Sequence, residues 1–205
     1  MKHSLIAIAA ASLLSACAPL VVGGAVVGTA MVATDRRTTG TQVEDKGIEL
    51  KAASRIREAM GSRTNINVQA YNRALLLSGE VRNEEDKAEA ERIARAVDNV
   101  VRVHNEIQVG FLSSLTSRSN DLVLAGKIKA TLIDAKTLQA SAFTVVVERG
   151  EVYLMGIVTE REANLASELI RGIPKVAKVV RLFEIVSEEE LARRVPRQPS
   201  AEQSR

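Results

Sequence analysis

Side chains able to do covalent or metal chemistry are scarce in this sequence. There is one cysteine, Cys17, and there are two histidines, His3 and His104. His3 lies in an apolar N-terminal segment, and His104 falls on the polar side of an expected strand, where it reads as solvated. Neither has a second histidine or a spare thiol to complete a metal site or a Cys–His nucleophile pair. Glu84-Glu85-Asp86 and Glu188-Glu189-Glu190 stand at expected helix starts, where carboxylates complement the helix dipole. Gly23-Gly24 and Gly28 follow no strand, so they are not a phosphate loop. The expectation is therefore a protein that is not an enzyme, with no catalytic residue, no metal and no cofactor. Nucleic acid is an equally poor ligand. The net charge is only +3, there is no tryptophan, and basic and acidic residues are near parity in both halves of the chain.

Cys17 suggests chemistry of another kind. Lys2 and His3 precede the apolar run Leu5 to Leu14, which is too short to span a bilayer, and small residues follow it. One reading is an ordinary signal peptide with an incidental cysteine. Leu14-Ser15-Ala16-Cys17 resembles a bacterial lipobox, which implies a signal peptide over 1–16 and a Cys17 thiol carrying palmitate-type acyl chains. With that thiol acylated, folding cannot depend on a disulfide. In the lipoproteins it resembles, Ala18 in place of an aspartate implies passage to the outer membrane. Residues 20–33 are apolar and glycine-rich, but as a helix they would reach only about 21 Å, short of the roughly 30 Å hydrocarbon core. They and the polar residues after them read as a tether over 17–44.

The rest of the chain is one pattern written twice. Residues 70–82 and 147–159 each hold a strand end, a tight turn (Asn72-Arg73 or Arg149-Gly150) and a strand ending Leu-x-Gly-x-Val. Gly79 and Gly156, late in those strands, read as structural, at positions where a Cβ would crowd the following helix or strain the strand. Apolar spacing predicts a helix over 45–60 and strands over 66–70 and 74–81. A helix over 84–97 capped by Asn83 follows, then a single strand over 100–109 in which Val101, Val103, Ile107 and Val109 face inward. The second copy repeats the order: a helix over 120–134, strands over 143–148 and 151–158, a helix opened by the capping box Thr159/Glu162, and a strand over 176–185. The expected fold class is α+β, with units over 45–110 and 119–187, a linker over 111–118 and a charged tail over 188–205 that reads as a short helix fraying into disorder.

Two α-β-β-α-β units with this glycine motif resemble BON domains. Two of them behind a lipobox are similar to the dual-BON-domain lipoproteins of Gram-negative outer membranes. Gly40-Thr41-Gln42-Val43, Asn120-Asp121, and residues 150–156 through Thr159-Glu160-Arg161-Glu162 carry the likeness most closely. The resemblance implies two small three-stranded mixed sheets, each packed on two helices. It also implies a non-enzymatic, lipid-anchored protein on the periplasmic side of the outer membrane, binding phospholipid through its second unit and supporting envelope integrity.

The residues point to where. In the first helix, Lys51, Ser54, Arg55 and Glu58 lie opposite the core side. In its counterpart, Leu124, Ile128 and Leu132 form the core side, yet the opposite side carries Leu122, Val123, Gly126, Ala130 and Ile133. Lys127 and Lys129 flank these, and Lys136 follows. A helix apolar all round is covered on both sides or meets a membrane or partner. Lysines on its margins suit an anionic phospholipid surface. The alternative at this point is that the first unit, or the linker residues Phe111, Leu112 and Leu115, cover the face. Beside lipid binding stands a second functional reading, a periplasmic module docking on an outer-membrane assembly or cell-wall remodelling factor.

Overall fold

The computed structural model describes residues 35–61 and 64–194. The expectations for the signal peptide, Cys17 and the apolar run over 20–33 fall outside those residues, as does 195–205.

The first half comprises α1 (Thr39–Met60), β1 (Asn65–Tyr71), β2 (Ala74–Val81), α2 (Glu84–Arg95), β3 (Arg102–Asn105) and β4 (Gln108–Val109). The second comprises α3 (Leu115–Asp134), a 3-10 turn (Ala140–Ala142), β5 (Thr144–Glu148), β6 (Glu151–Val158), α4 (Glu160–Arg171), β7 (Lys178–Ile185) and a short α5 (Glu188–Arg194). In each, an antiparallel hairpin is joined by a final strand running parallel to the second, giving the orders β1-β2-β3 and β5-β6-β7.

Two expectations are corrected. Both first helices begin earlier than expected, because the hydroxyls of Thr38 and Ser114 accept from the amides of Thr41 (3.1 Å) and Ser117 (3.2 Å) and cap them. The strand expected over 100–109 is broken: β3 and β4 both lie along β2, with Glu106-Ile107 between them. Val101 precedes that strand and is 74% exposed, whereas Ile107 is buried in the break. The short helix expected at the start of the tail is present over Glu188–Arg194, where Leu191 packs on the molecule and Arg194 pairs with Glu184 at 2.9 Å.

The central strands read as nearly unbroken apolar runs because both of their faces are covered. On β2, Leu75 and Leu77 meet α1 and α2 through Ile48, Ala52, Ile56, Ala90 and Ala94. On β6, Val152 and Leu154 meet α3 and α4 through Leu124, Ile128, Leu132, Ala163 and Ile170. The residues between them, Leu76 on β2 and Tyr153, Met155 and Ile157 on β6, form a third apolar cluster with Tyr71 and Val186. The helix-free faces of the two sheets therefore pack on each other.

Polar contacts reinforce this joint. Arg36, expected in the tether, is buried. Its guanidinium grips both oxygens of Glu162 (2.7 and 2.8 Å) and the carbonyl of Ile157 (2.7 Å), while Glu162 also closes the capping box of α4. Arg37 pairs with Asp45 at 2.8 Å and lies 4.0 Å over the Tyr71 ring. Residues 36–44 thus belong to the folded unit, because these two side chains find partners in both halves.

Candidate functional site

The eight residues singled out on and just after α3 are all exposed: Leu122, Val123, Gly126, Lys127, Lys129, Ala130 and Ile133 on the helix, and Lys136 two residues beyond its end. Leu122, Val123 and Ile133 are 75%, 60% and 68% exposed, on the side of α3 opposite the buried Leu124, Ile128 and Leu132. The suggested cover is absent among the described residues. Phe111 and Leu115 are themselves 96% and 77% exposed. Because α3 starts at Leu115, that side chain extends the apolar stripe by two turns, one residue in seven recurring on a face. The sequence signal for this was the N-cap residue Ser114, which was passed over.

The equivalent face of α1 is different. Two buried aspartates set the correspondence. Asp45 accepts from the turn amides of Asn72 (2.7 Å) and Arg73 (2.8 Å), and Asp121 accepts from those of Arg149 (2.9 Å) and Gly150 (3.0 Å). Each carboxylate thus satisfies a tight hairpin whose central residues all have positive φ, from 47° at Asn72 to 76° at Gly150. This pairing of helix and turn was missed in the sequence, although an inward aspartate at matching places in two apolar helix faces was its trace. Counting from these aspartates, Leu122, Val123, Ala130 and Ile133 stand where the first half has Lys46, Gly47, Ser54 and Arg57. Apolar exposure is not wholly absent from α1: Val43 and Leu50 are 69% and 62% exposed, with Lys46 and Lys51 beside them.

The paired glycines lie under backbone. A Cβ on Gly79 would stand 2.0 Å from the carbonyl oxygen of Asn65, and one on Gly156 2.3 Å from that of Ala142. The crowding group is a backbone carbonyl rather than the following helix: that of Asn65 at the start of β1 for Gly79, and that of Ala142 in the 3-10 turn before β5 for Gly156. Gly79 additionally has φ of 105°, which L side chains rarely adopt.

The BON domain family model matches residues 48–110 and again 120–187. The chain is 34% identical over 185 residues to the outer membrane lipoprotein DolP of Haemophilus influenzae, covering 89% of this chain and 95% of that protein. It belongs to the dual BON-domain proteins of the DolP type. A second relative, the 21 kDa hemolysin of Actinobacillus pleuropneumoniae, is 30% identical over 154 residues, 74% of this chain and 79% of that one. Among solved structures, the C-terminal domain of CdsD from the type III secretion system of Chlamydia trachomatis matches with TM-score 0.29 and 13% identity, over 65% of this chain and 96% of that one.

Titratable groups of the two BON domains gather at their joint. Burial pushes the Glu148 carboxyl up, aided by Glu80 and Asp121 and opposed by the amide of Asn67, which donates to it across the joint. Burial also acts upward on Glu162, but the Arg36 guanidinium and the Thr159 amide outweigh it and hold that carboxyl below the usual range. His104 is half-buried rather than solvated. Burial and Arg102 lower its pKa against Glu106, and it lines a 520 Å³ groove with Tyr71, Arg73, Phe183 and Glu184. Among the described residues no three His, Cys, Asp or Glu side chains gather as a metal site, and no helix is long and apolar enough to cross a membrane.

Proposed function

We propose that this chain is a non-enzymatic outer-membrane lipoprotein facing the periplasm, held by acylated Cys17, whose second BON domain binds anionic phospholipid and thereby supports envelope integrity. The exposed apolar face of α3 carries the reading: Leu122, Val123 and Ile133 lie open to solvent where α1 has Lys46, Gly47 and Arg57. The outer-membrane assignment draws on the DolP relative together with the lipobox of this chain. Transfer of two large aliphatic side chains into the interfacial region contributes about 3–6 kcal/mol before ordering costs. Each lysine near an anionic surface adds about 1 kcal/mol. Apolar burial therefore supplies most of the affinity, and Lys127, Lys129 and Lys136 supply the preference for anionic over zwitterionic lipid.

Anchoring is tested with Cys17→Ala, which is expected to abolish acyl labelling and to leave an uncleaved or soluble chain. Unchanged fractionation together with no acyl label on the unaltered chain would remove the anchor from the account. Cosedimentation with vesicles tests the lipid site. Lys127→Ala with Lys129→Ala is expected to weaken binding to anionic vesicles and to flatten its dependence on salt, leaving zwitterionic binding as it was.

A further inference from the structure

A second difference between the two domains lies on a sheet edge. Glu148 and Glu151 flank the two-residue turn as a bonded pair, so the next pair, Val147 with Val152, is of the non-bonded kind. The N–H and C=O of Val147, and likewise those of Val145, therefore point away from β6, off the free edge of the sheet. Ala70 occupies the corresponding place on β1, and there the edge is plugged. Its N–H donates to Glu49 on α1 (3.3 Å), whose same oxygen also accepts from Gln69 at 2.9 Å. Glu49 lies one turn after Asp45; one turn after Asp121 lies Ala125, which cannot reach. No acceptor among the described residues meets the Val147 amide.

The open edge faces a cleft of 470 Å³ between β5, one flank of α3 and β1 of the first domain. Val145, Val146 and Ala125 give it an apolar wall, and Arg118 and Lys129 supply positive charge. Asp121 and Glu148 also border it, but both are occupied, by the turn amides and by Asn67. An unprotected β-branched edge is a template for strand addition. The first domain shows which group suits it, since its own plug is a carboxylate.

We propose that this cleft binds an extended acidic peptide segment of a partner protein, added as a strand on β5 with a carboxylate directed at Lys129. The cleft shares Leu122 and Lys129 with the margin of the outward face of α3, but the backbone edge of β5 is no part of that face, and the proposal does not depend on the lipid reading. It is tested by amide NMR on the full chain, titrated with an acetylated, amidated hexapeptide of alternating valine and glutamate and with its valine–lysine counterpart. The acidic peptide is expected to shift the amides of Val145 and Val147, and the basic one to leave them unmoved. Ala125→Glu, which transplants the plug of the first domain, should abolish the response, and Glu49→Ala should make Ala70 responsive. Hydrogen exchange supplies a check without substitution: the Val147 amide should exchange faster than that of Ala70. Slow exchange at Val147, no shift there, an equal response after Ala125→Glu, or shifts produced by anionic vesicles in place of the peptide would each overturn the proposal.

Discussion

The first helices of the two BON domains do the same work on their inner faces and different work on their outer ones. Asp45 and Asp121 each hold a hairpin turn, and Ile48, Ala52 and Ile56 fill the place of Leu124, Ile128 and Leu132. Outward, Lys46, Gly47 and Arg57 answer to Leu122, Val123 and Ile133. Folding constrains the inner face alike in both copies, so what differs outside is free to carry function. An exposed isoleucine contributes nothing to an isolated domain, and a stripe of such residues asks for an occupant.

The comparison predicts symmetric responses inside and asymmetric ones elsewhere. Gly79→Val and Gly156→Val should have the largest effect, each destabilising its own domain by about 4 kcal/mol or more, because the new side chain meets a backbone carbonyl at 2.0 or 2.3 Å. Scanning calorimetry should show the loss in both cases. An unchanged melt with lost function would make either glycine a contact site instead.

Arg36→Met is one-sided. It strands Glu162 in the second domain without its cation, at a cost of about 3–5 kcal/mol. Adding Glu162→Gln, which keeps the capping box, should restore much of the loss. No recovery in the double variant would mean that the guanidinium acts mainly through the Ile157 carbonyl.

Glu148 gives the smallest effect and a pH signature. Its folded pKa is raised, so the folded state holds the proton more tightly than the unfolded one. Stability is accordingly greatest below the unfolded value of 4.5 and falls as pH rises through the folded value. Glu148→Gln should remove that slope and raise the melting temperature slightly at neutral pH, while the amide of Asn67 keeps an acceptor. Melting curves across the weakly acidic range would read this directly.

Much of the architecture was legible because it rests on local signals. The apolar runs of β2 and β6 beside their tight turns, the Asn83 cap and the Thr159/Glu162 capping box each place an element without reference to distant residues. What escaped was tertiary. Arg36 and Arg37 sit in a stretch whose composition reads as linker, and only partners more than a hundred residues away on Ile157 and Glu162 make Arg36 core. Leu76, Tyr153 and Met155 announced burial but not against what. The face of α3 was legible because an amphipathic pattern that fails on one helix and holds on its repeat is visible as a contrast.

The central claim is that the outward face of the second domain, and not its counterpart in the first, meets the membrane. Matched pairs of substitutions on the two helices test it in one vesicle-binding measurement, with melting curves alongside. Val123→Glu with Ile133→Glu should abolish binding to anionic vesicles without altering the melt, because both side chains are exposed. Gly47→Glu with Arg57→Glu, at the equivalent places on α1, should leave binding close to that of the unaltered chain. Binding that survives on α3, or falls equally for both pairs, would contradict the account.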